Sequence, residues 1–259
     1  LKLLVVLSQV NYMPENYNGL LEGLAHAFAQ NAQNSSTKVE IKGCASLKTM
    51  DASLLKSIAS LPLVGVYNLP KQLLKNIASC LKKEREKMCQ SLEIEHLNWQ
   101  SMNGQEALTW VKKNKIDIIL NLRTRCIYKE PILEAPKLGC VNIHHGILPQ
   151  YRGTFCDLYA LAESREAGFS IHKMAKKIDA GEIYKTQVVD TGLEKNYSLY
   201  LKRTIDHEIK SLIDFINSCS KTPELALPQG MLNSHPKPVY TKNPTPQMIK
   251  VFKKKGMIL

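Results

Sequence analysis

Short apolar runs alternate with helical repeats through the first half of the chain, and that alternation restricts the fold more than any other feature. Residues 2–7, 39–45, 92–97, 116–120 and 140–144 each read as a strand. Runs such as KLLVVL are apolar on both faces, which marks a strand covered from both sides, as in a parallel sheet. Between them, apolar residues recur at helical spacing, as with Leu20, Leu21, Leu24, Ala27 and Phe28 within 18–30. Further helices are predicted from residue 51, over 70–90 with Pro70 in its first turn, and over 103–113. Residues 63–67 read as an additional strand, and 8–18 and 31–38 as polar connections. The expected class is therefore α/β, a mostly parallel sheet with helices on both faces. Later come a helix over 154–163, a hairpin-like pair of strands over 169–173 and 183–189, and a long helix over 197–219.

The texture changes after residue 220. Pro223, Pro228, Pro236, Pro238, Pro244 and Pro246 interrupt regular structure. Residues 1–220 are thus expected as the main domain and 221–259 as an extended C-terminal arm closed by a short basic helix over 245–255. No apolar run approaches the roughly 20 residues that span a bilayer, so no membrane partner is expected. The opening LKLLVVLSQV reads as a core strand and not as a signal peptide. The seven cysteines are dispersed without Cys-x-x-Cys spacing, which suits reduced thiols in the cytoplasm and no metal site. The net charge of +12 fits a lysine-rich solubilising surface and also favours anionic partners. There is no G-x-G-x-x-G after the first strand, no P-loop, no H-E-x-x-H and no G-x-S-x-G.

The stretch 139–179 carries the candidate chemistry. On a strand over 140–144, Asn142 and His144 point to one face while Val141, Ile143 and the following His145 point to the other. Two polar side chains on one face of an apolar strand call for a reason. The Asn142 amide could donate to a developing oxyanion, and His144 could act as acid or donor. Asp179, in the loop I-D-A-G-E, could orient His144, raise its pKa or take a proton through water. A core histidine and a turn-forming Asp are the structural alternatives. The loop 147–153 leaves the strand where ligands bind in open α/β sheets. On it, Tyr151 and Arg152 are candidates for substrate contact, with Arg152 either pairing an anion or lying on the surface. His172, on the next strand, is either a partner of the site or an ordinary buried histidine.

The segments VNIHHGILPQYRG, GFSIHKM and IDAGEI resemble the N10-formyltetrahydrofolate-dependent formyltransferases. That family's core reads N-[IV]-H-[PA]-S-L-L-P-x-x-[RK]-G, followed by D-x-G; here Asp179 follows Asn142 by 37 residues. The segment from Asp117 to Gly139 also fits, so the resemblance runs from about residue 116 to 183. It implies a Rossmann-like fold, 10-formyltetrahydrofolate as co-substrate and no metal. It implies that Asn142 and His144 hold the formyl oxygen while an amine attacks, and that Asp179 orients His144. The pterin would lie against Cys126, Ile127 and Tyr128, the loop Ile147, Leu148 and Pro149, and the backbone of Ala175, Lys176, Lys177, Ile178 and Asp179. Three departures bear on the acceptor: His145-Gly146 after the catalytic His, the polar stretch 121–125, and an opening loop without glycine. Family members acting on tRNA carry a further C-terminal barrel, whereas 40 proline-rich residues follow the last long helix here. The expected acceptor is therefore a small-molecule amine, with or without a phosphate, such as an amino sugar on a nucleotide carrier. Action on methionyl-tRNA, hydrolysis with water as acceptor, and a folate- or nucleic-acid-binding protein that kept the fold are the alternatives.

Overall fold

The computed structural model describes residues 1–31, 38–220 and 225–259. The polar turn expected over 31–38 falls mostly outside them. The elements begin with β1 (Lys2–Ser8), α1 (Asn18–Asn31), β2 (Glu40–Leu47), α2 (Ala52–Ser60), α3 (Asn68–Leu81) and α4 (Glu84–Ser91). They continue with β3 (Glu95–Trp99), α5 (Gln105–Lys113), β4 (Ile118–Leu122), α6 (Glu130–Leu133) and β5 (Gly139–His144). Then follow β6 (Tyr151–Gly153), α7 (Cys156–Ala162), β7 (Ala167–Lys173), β8 (Ile183–Asp190), α8 (Tyr197–Cys219), β9 (Val239–Thr241) and α9 (Pro246–Lys254).

Seven strands form one sheet in the order β3-β2-β1-β4-β5-β7-β8. The first five are parallel, and the β5–β7 and β7–β8 pairs are antiparallel. Alternation along each strand sorts side chains to two cores. Leu3, Val5, Leu7, Ile118, Leu120, Val141 and Ile143 pack under α1, α7 and α8, whose apolar faces include Leu20, Leu24, Leu161, Leu212 and Phe215. Leu4, Val6, Ile119 and Cys140 pack on the other face with Ala107 and Val111 of α5 and Ile132 of α6. The mostly parallel sheet with helices around it is as expected.

Three local expectations are revised. Residues 63–67 form no strand. Pro62–Val64 is a single 3₁₀ turn, with Leu63 86% exposed and Gly65 in a left-handed conformation. The left-handed Gly65 turns the chain in the middle of this short apolar stretch and ends any extended run. The long helix over 70–90 is broken at Lys83, whose φ of 56° turns the chain between α3 and α4. The strand expected over 92–97 is shifted to Glu95–Trp99, where Trp99 rather than Leu92 supplies the buried anchor.

The proline-rich arm contains regular structure after all. Between Pro238 and Pro244, β9 pairs in parallel with β6, matching Arg152 with Tyr240 and Gly153 with Thr241. Gly153 has φ of 106°, and a Cβ there would lie 2.1 Å from the Thr241 carbonyl oxygen, so glycine permits this close approach. The Thr245 hydroxyl caps α9, and Ile249 and Phe252 bury its apolar face. Phe252 meets Tyr159 of α7 edge-on at 5.0 Å. No helix among the described residues is long and apolar enough to cross a membrane. Truncating Phe252 to Ala should cost roughly 3 kcal/mol. Limited proteolysis followed by mass spectrometry should then find cuts in 225–259 before any in the sheet, whereas wild type resists both.

Candidate active site

The carboxyl-terminal part of β4, the interior of β5 and the end of β7 place three polar side chains in one row. Asn121 stands opposite Asn142, and Asn142 opposite His172. Directly opposed residues share a face of the sheet, so all three meet at the carboxyl end of the parallel strands. Asn121 Nδ2 donates to Asn142 Oδ1 at 2.7 Å, and Asn142 Nδ2 lies 3.1 Å from His172 Nε2. His172 Nδ1 lies 2.8 Å from the Lys173 carbonyl oxygen, which can only accept. Burial chiefly, with His144 nearby and Asp179 opposing, lowers the His172 pKa to about 4. The ring is therefore neutral, with its proton on Nδ1.

His144 follows on the same strand face. Its Nε2 donates to the Tyr151 carbonyl at 3.0 Å, which turns Nδ1 toward Asp179 Oδ2 at 3.6 Å. Burial holds the His144 pKa below its ordinary value, with the Asp179 charge acting against it. Gly146 allows this packing, because a Cβ there would sit 2.6 Å from His144 Nε2. Asp179 has φ of 49° and is held on several sides. Gly153 N donates to its Oδ2 at 3.2 Å, and Asn233 Nδ2 donates to its carbonyl at 3.0 Å and to that of Gly181 at 2.8 Å.

These groups open into a cavity of 490 Å³. Asn142, His144, His172 and Asp179 line it, so the expected Asn, His and carboxylate do converge. Of the residues expected around a pterin, Cys126, Ile127, Tyr128, Ala175 and Ile178 also line it. Ile147, Leu148 and Pro149 are not among the lining residues. Leu148 is buried with its N–H donated to Ser170 Oγ, and this turn tucks beneath the sheet. Lys176 and Lys177 are exposed and also absent from the lining. Arg152 does not reach the cavity either. It is buried, and its Nη2 donates at 2.9 Å to both the carbonyl and the side-chain oxygen of Asn233. Its task is to fix the arm residue that holds the Asp179 loop. Tyr151 contributes its backbone carbonyl, while its side chain is buried.

Other participants had no role of their own in the sequence, although the polar stretch 121–125 stood out there. Asn121 is one, and its signal was a lone amide inside the apolar strand I-I-L-N-L. The other is a buried ionic cluster behind His144. His145 Nδ1 is 3.0 Å from Asp157 Oδ2, and its Nε2 touches Glu208 Oε1. Tyr17 donates to the same Glu208 oxygen at 3.0 Å, and Arg123 Nη1 lies 2.6 Å from His145 Nδ1. Asp157 and Glu208 are both 0% exposed. Burial pushes the Asp157 carboxyl up, but His145 and Arg123 outweigh it and hold it below the usual range. Arg123 also lies over the Tyr12 ring at 5.0 Å, and Tyr12 stacks on Phe155 at 5.1 Å. Arg123, Phe155 and Asp179 all line the cavity with left-handed backbones. Such conformations cost of order 1–3 kcal/mol each and persist where surroundings over-determine them.

The buried neutral His172 gives stability a pH dependence. The unfolded chain protonates this ring near its ordinary value, and the folded one only near 4. Protons therefore favour unfolding in that interval. His172 should subtract up to about 3 kcal/mol as the pH falls from about 7 to about 4. Urea midpoints measured across that range should decline less steeply in His172→Gln than in wild type.

Comparison with known proteins places this geometry. A model of the family described as formyl transferase matches residues 67–216, more than half of the chain. The methionyl-tRNA formyltransferase of Thermotoga maritima is 32% identical over 125 residues, covering 48% of this chain and 40% of that relative. The chain spans about half or less of the length of the first such curated relatives, from 40% to 52%. Among solved structures, a phosphoribosylglycinamide formyltransferase from Anaplasma phagocytophilum superposes with a TM-score of 0.58 at 16% identity, covering 94% of this chain and 98% of its own. A sugar N-formyltransferase from Shewanella gives 0.54 at 17% identity, covering 93% and 76%. Both likenesses concern the fold. With a family match across the sheet strands that carry Asn121, Asn142 and His172 and the loop that carries Asp179, this chain belongs to the formyl transferase family.

Proposed function

We propose that this chain transfers the formyl group of 10-formyltetrahydrofolate to a primary amine on a small molecule. The observation that carries the reading is the convergence of Asn142, His144 and Asp179 on the lining of one cavity. Cys156 Sγ lies 3.6 Å from His144 Nε2, but burial pushes its thiol up to about 12. A buried thiol held in its protonated form is a poor nucleophile, which favours an attacking group supplied by the acceptor. The co-substrate supplies an electrophilic formyl carbon. Cys126, Ile127, Tyr128, Ala175 and Ile178 offer an apolar wall suited to its flat bicyclic ring.

In this reading the amine nitrogen bonds to the formyl carbon, and the bond from that carbon to the folate nitrogen breaks. Asn142 Nδ2 keeps one N–H free of His172 and directs it at the formyl oxygen as negative charge develops there. His144, fixed by the Tyr151 carbonyl, presents its Nδ1 edge to the same space. Asp179 stabilises the protonated ring and accepts the amine proton, directly or through His144, for return to the leaving nitrogen. Residues 1–220 form the catalytic domain, and 221–259 an arm that holds the Asp179 loop through Asn233.

The cavity volume falls within the roughly 300–1,000 Å³ of small-ligand sites. Its lining carries Arg123 and Arg125 against the single carboxylate of Asp179 among the described residues, which supports an anionic group on donor or acceptor. The sequence relatives favour a second acceptor, methionyl-tRNA.

Asp179→Asn should lower kcat by about 10²–10⁴-fold with unchanged circular dichroism. Near-normal turnover would remove Asp179 from the chemistry. The acceptor is identified by tetrahydrofolate release on addition of nucleotide-linked amino sugars, glycinamide ribonucleotide or Met-tRNA. Release with no acceptor present would instead mark a hydrolase. Separately, a 5-deaza analogue of the co-substrate at a hundredfold excess over Kd should stabilise the protein by about 2.7 kcal/mol. An unmoved Tm at saturating analogue would count against a folate site.

A further inference from the structure

We propose that Asn121 is a positioning residue that fixes which end of the Asn142 amide faces the substrate. The proposal rests on the formyl-transfer reading, in which Asn142 must present N–H and not C=O to the formyl oxygen. An asparagine amide is nearly symmetric in shape, so packing alone does not choose between its two orientations.

The choice is made by a directional chain across three strands. It starts at the Lys173 carbonyl, which can only accept, so His172 carries its proton on Nδ1. His172 Nε2 is then an acceptor, and Asn142 must offer it Nδ2. Asn142 Oδ1 consequently faces Asn121 and needs a donor there, which Asn121 Nδ2 provides at 2.7 Å. The far end closes in the same sense. Asn121 Oδ1 accepts from Thr124 Oγ1 at 2.5 Å and from Tyr128 Oη at 3.3 Å. Tyr128 retains its proton, because burial raises its pKa well above the ordinary value. Each of these links agrees in direction, with Asp179 Oδ1 standing 3.7 Å from His172 Nε2, beyond hydrogen-bond distance, and the register places the three side chains directly opposite one another. Asn121 is buried, so water does not readily replace it as the donor.

The test inverts one link. Asn121→Asp keeps the shape, but a carboxylate has no N–H to give. Asn142 should then turn its NH₂ toward residue 121 and its carbonyl toward His172 and the cavity. Relative to wild type, kcat should fall by about 10²-fold at about pH 9. The loss should shrink as the pH is lowered and the carboxyl regains a proton to donate. A merely structural role predicts a ratio that does not vary with pH.

An independent readout is the ¹⁵N shift of His172 Nε2 at the same high pH. It should report a hydrogen-bonded acceptor in wild type and an unprotonated nitrogen without that bond in Asn121→Asp, because the Lys173 carbonyl keeps the ring proton on Nδ1, whether or not any acceptor is turned over. If Asn121→Asp fails to fold, Asn121→Ala in a double-mutant cycle with Asn142→Ala decides. Asn121→Ala should cost about tenfold in kcat alone and less than about twofold when Asn142 is already gone. A protonated Nε2 in wild type, a pH-independent ratio, or additive losses would each overturn the proposal. A silent enzyme whose His172 signal still switches would instead leave Asn121 in place and count against the formyl-transfer reading.

Discussion

The site depends on β5 lying between a parallel neighbour and an antiparallel one. Parallel pairing with β4 brings Asn121 opposite Asn142, and antiparallel pairing with β7 brings His172 opposite it from the other side. Because side chains alternate with a period of two, a slip of one residue in either register would carry one partner to the opposite face. The apolar residues between them, Leu120, Leu122, Val141, Ile143 and Ile171, are buried in the core on that other face. Burial of one face therefore fixes the polar row on the other, and the geometry of the candidate site is tied to core packing.

Electrostatics add a second constraint. The protein sets its two cavity-facing imidazoles among apolar strands beside the Asp179 carboxylate, and gathers further charges into a compact cluster one layer behind. His172 and His144 are both shifted toward neutrality by burial. His145, next in sequence, faces two buried carboxylates and a guanidinium instead. Buried charges are tolerated only when paired and hydrogen-bonded, and Tyr17 and Tyr197 supply further bonds to Glu208 and Asp157. Adjacent histidines thus have opposite surroundings because they leave opposite faces of one strand.

The arm contributes chiefly through the side chain of Asn233. Arg152, Asn233 and the carbonyls of Asp179 and Gly181 form a continuous set of hydrogen bonds from β6 to the loop facing His144. The left-handed Asp179 needs such support, since its conformation is unfavourable for a residue with a side chain. A proline-rich segment suits this work, because restricted φ angles reduce the entropy lost when an extended strap docks.

By itself the sequence determined the parallel α/β class, the strand carrying Asn142 and His144, the Asp179 loop and the last helix, whose expected span matches Tyr197–Cys219. These follow from local rules: apolar runs, a period of two and helical spacing all act over a few residues. The break at Lys83, the absence of a strand at 63–67 and the strand within the proline-rich arm depend on which partners are within reach. The same holds for the site. Asn142, His144 and Asp179 were legible as residue types in a pattern, but the task of Arg152 was not, because its partner Asn233 is 81 residues away. As members of the site, Asn121 and Arg123 were legible only through the polar stretch 121–125, and Glu208 not at all. Only the tertiary structure brought them to it, since a hydrogen bond between distant segments leaves no periodic trace in the chain.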